Sequence, residues 1–204
     1  MKRAAALLLI AFLGFGVTAY AGGDKEQKRY TKEAEKLAKK RAKELKKEKW
    51  VFNGANTLEN ALMNYYLETE PSCGGDKEAR SYDFDNAASI TGGERLLVFN
   101  AQTEYIQEIE AAFGGSIVRH TSDGNDGLEV LVGDVEARIK AELKGDVKRS
   151  LTLYKKDKNG KYLLRAFFII DVNSSARKLE RYADRIQKDE EIADAIRKAA
   201  RGEK

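Results

Sequence analysis

Apolar positions recur along the chain with two different periods, and the periods mark out its elements. Between Asp24 and Lys49, Tyr30, Ala34, Leu37, Ala38 and Leu45 return at helical spacing, a narrow stripe on an otherwise charged segment. "KWVFNG" closes that helix with a short aromatic strand or turn, broken at Gly54. A second helix is predicted from about Thr57 to Glu68. Asn56 with Glu59 three residues on has capping-box-like spacing, and Leu58, Ala61, Leu62 and Tyr65 share one face. Pro71 and the pair Gly74-Gly75 end it. "ARSYDFDNAASI" then alternates Tyr82 and Phe84 with Ser81, Asp83 and Asp85, the period of a half-buried strand.

After Gly92-Gly93 the period returns to that of a helix, from about Glu94 to Phe113, with Leu97, Ala101, Tyr105, Ile109 and Ala112 on a face that must be buried. "GGSIVRHTSDGNDG" reads as a breaker-rich loop. Leu128, Leu131, Val132, Val135, Ile139 and Leu143 mark a further helix, weakened at Gly133. Residues 147–172 read as a β-hairpin turning around Asp157-Lys158-Asn159-Gly160.

The hairpin's second strand, "LLRAFFIIDVN", is apolar on both faces, as expected of a central strand covered by helices. Arg165 inside it then needs a partner or a route to water. Asp171 stands where the strand hands over to a final amphipathic helix, capped by Ser174 or Ser175 and carrying Leu179, Tyr182, Ile186, Ala193 and Ile196. Strands that cluster as hairpin partners favour α+β over a doubly wound sheet. The expected fold is an antiparallel sheet of three to four strands, packed by long amphipathic helices, with a basic helix at the N-terminal end.

The first residues change the picture of organisation. Lys2 and Arg3 precede an apolar run from Ala4 to Val17, and Ala19-Tyr20-Ala21 follows with small residues at the minus-three and minus-one positions. This is the pattern of a secretory signal peptide cleaved after Ala21, its apolar run shorter than the roughly 20 residues of a spanning helix. The organisation read from the chain is a signal peptide over 1–21, a basic helical segment over 22–50 and a single α+β domain over 51–204. No cysteine stands at the junction, so lipid attachment there is not expected. Cys73 is the only cysteine of the chain, which excludes an intramolecular disulfide. The expected location is the periplasm or the outer membrane's surface.

Charge adds one local feature. The whole chain is nearly balanced at +4, yet Asp24 to Lys49 holds twelve Lys or Arg against six Asp or Glu. Counted along the chain, Glu33, Glu35, Glu44 and Glu48 interrupt the basic run, which reads as a solvated helix lying against the body. The alternative is contact with a phosphate-rich surface such as anionic lipid head groups.

Chemistry-bearing residues are few. His120 is the only histidine, which eliminates two-histidine zinc sites. Cys73 and His120 could in principle form a nucleophile pair, but both lie in loops without a cysteine-enzyme signature. "DGNDG" from Asp123 fails the EF-hand pattern, with Gly127, Leu128 and Asp134 at the fifth, sixth and twelfth positions. Asp83 and Asp85 fall on one strand face about 7 Å apart, a separation suited to a metal or an acid/base pair but also to the solvent face of an edge strand. With Asp171 they are the only carboxylates worth nominating. No nucleotide cradle or serine elbow is present. No catalytic, cofactor-binding or metal-binding residue is assigned, and no cofactor is expected.

The order of elements, with "KKEKWVFNGANTLENALMNYYLE" after the basic helix and "YLLRAFFIIDVNSSARKL" in the hairpin, resembles small exported bacterial envelope proteins of unknown function. It is more distantly similar to the bacterial surface lipoprotein and flagellar-assembly T domain group. The resemblance implies a non-enzymatic envelope role. The expectation is therefore an exported, non-catalytic protein acting through protein–protein or surface contacts. Its expected partners are envelope proteins or a second copy, with peripheral contact to an anionic membrane through the basic helix, and not nucleic acid. A carboxylate-based enzyme or metal-binding protein, and a small-ligand-binding module, are the alternatives.

Overall fold

A computed structural model describes residues 23–117, 137, 140–185 and 190–201. Helix α1 (Gly23–Lys47) leads into a two-residue strand β1 (Val51–Phe52), helix α2 (Leu58–Thr69) and a 3-10 turn over Pro71–Cys73. Strand β2 (Glu78–Ala87) and helix α3 (Ile90–Ile117) follow, and a 3-10 turn over Lys144–Asp146 opens the hairpin of β3 (Val147–Lys156) and β4 (Tyr162–Ile170). Helices α4 (Val172–Arg185) and α5 (Glu190–Ala200) come last. The fold is α+β, its sheet ordered β1-β3-β4-β2 with every pairing antiparallel.

The alternation of β4 explains the layering. Phe167 and Ile169 point to one face, where they join Leu151 and Leu153 of β3, Trp50, Leu58, Leu62 and Tyr65, and the α1 residues Ala38, Ala42 and Leu45. Leu164, Ala166, Phe168 and Ile170 point to the other face and pack with Leu97, Ala101 and Tyr105 of α3. Each fully buried Leu or Phe contributes about 1.5–3 kcal/mol, so a strand buried on both faces is the centre of the fold. Its apolar run is thereby accounted for.

β3 changes faces partway along. Val147 belongs to the α3 side and Leu151 to the α1/α2 side, although residues four apart on a regular strand share a face. A register shift between Arg149 and Leu151 resolves this: Ser150 is the extra residue of a bulge that flips every later side chain. Arg149 is thus left facing α3, where it meets Glu94 at 3.0 Å.

Several helix ends differ from the sequence expectation. The pair Gly92-Gly93 lies inside α3 rather than before it, because Ser89 accepts a hydrogen bond from the Gly92 amide at 3.1 Å and starts the helix earlier. Gly93 is a packing requirement: a Cβ there would sit 2.7 Å from Leu164 Cδ1 and 3.0 Å from Ala87 Cβ. At its other end α3 runs through Gly114-Gly115 to Ile117. α2 is capped by Thr57, whose hydroxyl accepts from the Asn60 amide at 3.2 Å, one residue beyond the expected Asn56. The single final helix is two, with α5 packed against both α4 and α3. The expected helix over residues 128–143 lies mostly outside the described residues.

α1 is the longest contact on the α2 side. Ala34, Ala38, Ala42 and Leu45 are buried, and three alanines at a spacing of four let the two helices approach closely. Its N-terminal half rests on the 3-10 turn, where Gly74, at a φ of 80°, lies under the Tyr30 ring.

Candidate functional site

The nominated acids separate. Asp83 is the register partner of Arg165 across β2 and β4, and the two form a bidentate pair, Arg165 Nε donating to Oδ1 at 2.7 Å and Nη2 to Oδ2 at 2.6 Å. The same guanidinium lies 4.8 Å from the Trp50 ring centroid, and Lys155 Nζ lies 4.2 Å from it. The carboxylate beside it holds the Arg165 pKa above its usual value. Arg165, the anomaly of the apolar run, is therefore satisfied by a carboxylate and an indole at the rim of the α1/α2 layer. Asp85 is exposed and makes no ion pair among the described residues.

Asp171 sits at the far end of β4, six residues or about 20 Å from Arg165 along the strand. Its Oδ1 accepts the Ser174 amide at 2.7 Å, so it caps α4 in the place expected of Ser174 or Ser175. These acids do not converge, and no group of three or more His, Cys, Asp or Glu able to hold a metal occurs among the described residues. Cys73 is buried at 2% exposure, and desolvation raises its thiol pKa, which disfavours the thiolate. His120 and the "DGNDG" loop lie outside the described residues.

Two polar features were not legible in the sequence. Asp146, 5% exposed, accepts from Ser174 Oγ at 2.9 Å, Ser175 Oγ at 2.9 Å and Lys178 Nζ at 2.6 Å, and its backbone carbonyl accepts the Asp171 amide. It is a buried latch between the hairpin and α4, built from residues about thirty positions apart, so no local pattern announces it. The second is a cleft of about 280 Å³ where β1 ends and β3 bulges, lined by Asn53, Asn56, Asn64, Glu94 and Arg149 among others. Glu94 organises it by accepting from Asn53 Nδ2 at 3.0 Å while holding Arg149.

The most extended chemical feature is the outer face of α1. Ten of its cations, Lys25, Lys28, Arg29, Lys32, Lys36, Lys39, Lys40, Lys43, Lys46 and Lys47, share that face. At 3.6 residues per turn they fall within one arc of about 120° on the exposed side. No acid lies within the arc. Glu33 and Glu44 are half-buried on one margin with Glu26, and Asp24 and Glu35 border the other. The helix's remaining cation, Arg41, turns inward and pairs with Glu44 at 3.0 Å.

Among the described residues no helix is long and apolar enough to cross a membrane. No family model, curated protein or solved structure matches the chain.

Proposed function

We propose that the protein is an exported, non-catalytic component of the cell envelope that works by surface contact, with the outer face of α1 as its principal contact element. The observation that carries this reading is the segregation of ten cations onto one face of a helix whose opposite side is locked into the core. A cation row held on a rigid support recognises an extended anionic surface without bond chemistry. Support also comes from the nominated acids: Asp83 and Asp171 are both engaged in holding strands and helix ends together. The signal-peptide pattern and the resemblance to small exported envelope proteins point the same way. The amphipathic C-terminal helices offer a second contact surface.

Fractionation of cells combined with photo-crosslinking from positions 32 and 43 tests the reading. The expected result is a processed protein in the envelope fraction, crosslinked to envelope components. An unprocessed chain confined to the cytosol would overturn it.

A second reading is favoured by the cleft at the β3 bulge, where the side-chain amides of Asn56 and Asn64 make no hydrogen bond to other described residues. It predicts a small polar ligand. Saturation-transfer spectra with pools of polar metabolites should give hits that Asn64→Leu abolishes, and an absence of hits rejects the reading.

A further inference from the structure

We infer that α1 lies flat on an anionic lipid bilayer, its axis parallel to the surface and its cations on the head-group phosphates, without inserting any side chain into the hydrocarbon. The inference rests on the contact reading above and names the partner. Three observations lead to it.

The first is shape. The cations run from Lys25 to Lys47, a row of about 33 Å at 1.5 Å per residue. Ala34, Ala38, Ala42 and Leu45 anchor the helix along its inner side, so the row is held in place before any partner arrives. α2 and the 3-10 turn are packed along that inner side. A plane meets the whole of such a row at once, so an extended anionic surface can engage every cation of the arc together.

The second is composition. The outward arc holds Lys and Arg and no apolar side chain, and every Leu or Tyr of α1 lies on the inner half. Surface helices that insert carry Trp, Phe or Leu towards the lipid. This one has only charge to offer, worth about 1 kcal/mol per Lys or Arg near an anionic leaflet.

The third is availability. Lys28, Lys36, Lys39 and Lys46 have acidic partners, but Lys25, Lys32, Lys40, Lys43 and Lys47 make no ion pair among the described residues. An unpaired row of like charges is destabilising to the free helix through repulsion, and an anionic plane removes that repulsion. An exported chain, as the leader pattern of Lys2, Arg3 and the run from Ala4 to Val17 implies, would work beside anionic head groups rather than nucleic acid.

The experiment is sedimentation of the purified full chain with vesicles of phosphatidylcholine alone and of phosphatidylcholine with about one-third phosphatidylglycerol. The variant Lys32→Glu/Lys40→Glu/Lys43→Glu/Lys47→Glu reverses the centre of the arc at unpaired, exposed positions. The same four positions changed to Arg keep the charge, and Lys148→Glu/Lys158→Glu reverses charge elsewhere. Residues 1–22 are common to all proteins, so any affinity they contribute cancels in the comparison. Anionic vesicles should bind the wild type, the Arg variant and the distant control alike, and the arc reversal should lose at least about a hundredfold. Binding should weaken steeply between low and high salt as screening shortens. Thermal unfolding followed by circular dichroism verifies that the reversed protein folds. Equal binding to both vesicle types, or an arc reversal that binds anionic vesicles undiminished, overturns the inference. So does tighter binding to a short DNA duplex at equal phosphate concentration, which transfers the face to nucleic acid. Envelope crosslinks that persist after vesicle binding has failed would leave the contact reading standing and reject the bilayer alone.

Discussion

Replacing Asp146 tests whether a buried acid here is a latch. Its side chain is 6% exposed and receives two hydroxyls and an ammonium within 2.9 Å, all from α4. In Asp146→Ala, Ser175, at 1% exposure, loses its charged acceptor, and hydrogen bonds to charged groups are worth about 1.5–3 kcal/mol each. Lys178 is less costly to strand, because its side chain is 27% exposed and already donates to the Glu142 carbonyl. Relief of the carboxylate's own desolvation offsets part of the loss. The expected net destabilisation is about 3 kcal/mol, at the low end for breaking a buried pair. Asp146→Asn keeps an acceptor oxygen for one serine but not the charge, and should lose about half as much. Trp50, the only tryptophan, is buried in the α1/α2 layer on the opposite face of the sheet, so its fluorescence reports global unfolding. Urea curves from Trp50 emission and far-ultraviolet circular dichroism should shift together. Amide exchange in α4 should accelerate in both variants. A loss of less than about 1 kcal/mol in Asp146→Ala would show that the latch is not what holds α4 to the hairpin.

Three further perturbations bear on the same architecture. A double-mutant cycle with Asp83→Asn and Arg165→Met should give a coupling of about 1 kcal/mol, because the pair is bidentate but its side chains are 44% and 25% exposed; a coupling of zero in urea unfolding rejects the pair as the support of Arg165. Gly93→Ala should be less stable than Gly92→Ala by about 1–2 kcal/mol, since both gain helix propensity, but a Cβ at 92 meets only the rotatable Ser89 hydroxyl at 2.9 Å whereas one at 93 is driven into the packed Leu164 and Ala87; equal melting temperatures would contradict the packing role of Gly93. Desolvation pushes the pKa of both Tyr65 and Tyr105 up to about 12. Phenols raised above the unfolded value of about 10 contribute stability fully below that pH and lose it as pH climbs towards 12. A Tyr65→Phe/Tyr105→Phe variant should therefore keep more of its neutral-pH stability at about pH 11 than the wild type, and parallel pH curves would refute the assignment.

Period alone located β4, because burial on both faces leaves an unbroken apolar run that few other elements produce. The same reading identified Arg165 as needing a partner. It does not name Asp83, which lies 82 positions away and stands out in the sequence for its carboxylate rather than for a position opposite Arg165. Asp83 answers two questions at once: the carboxylate nominated for chemistry is the partner that Arg165 needs. The bulge at Ser150 left no trace in the pattern, since one inserted residue between two short apolar groups looks like ordinary alternation. Gly92-Gly93 misled for a different reason: glycine marks breaks by its freedom, but here its lack of a side chain is what Leu164 requires. Breaker and spacer are spelled the same way.

The basic helix shows most clearly what a linear reading loses. Along the chain the acids of α1 fall between its cations, and a running count makes them interruptions. Wound at 100° per residue, the same acids move to the two margins of the helix, and the exposed arc between them is purely cationic. What fixes the arc is the apolar stripe: burying Ala34, Ala38, Ala42 and Leu45 turns the helix so that ten of its eleven cations face out. Ala42, fully buried, is absent from the stripe read along the chain, flanked as it is by Arg41 and Lys43. A substitution that rotates the helix, such as a large residue at Ala42, would therefore alter the outer charge pattern without touching a single cation. The core contacts of α1 and its outer face are one feature of the sequence, and selection on either constrains the other.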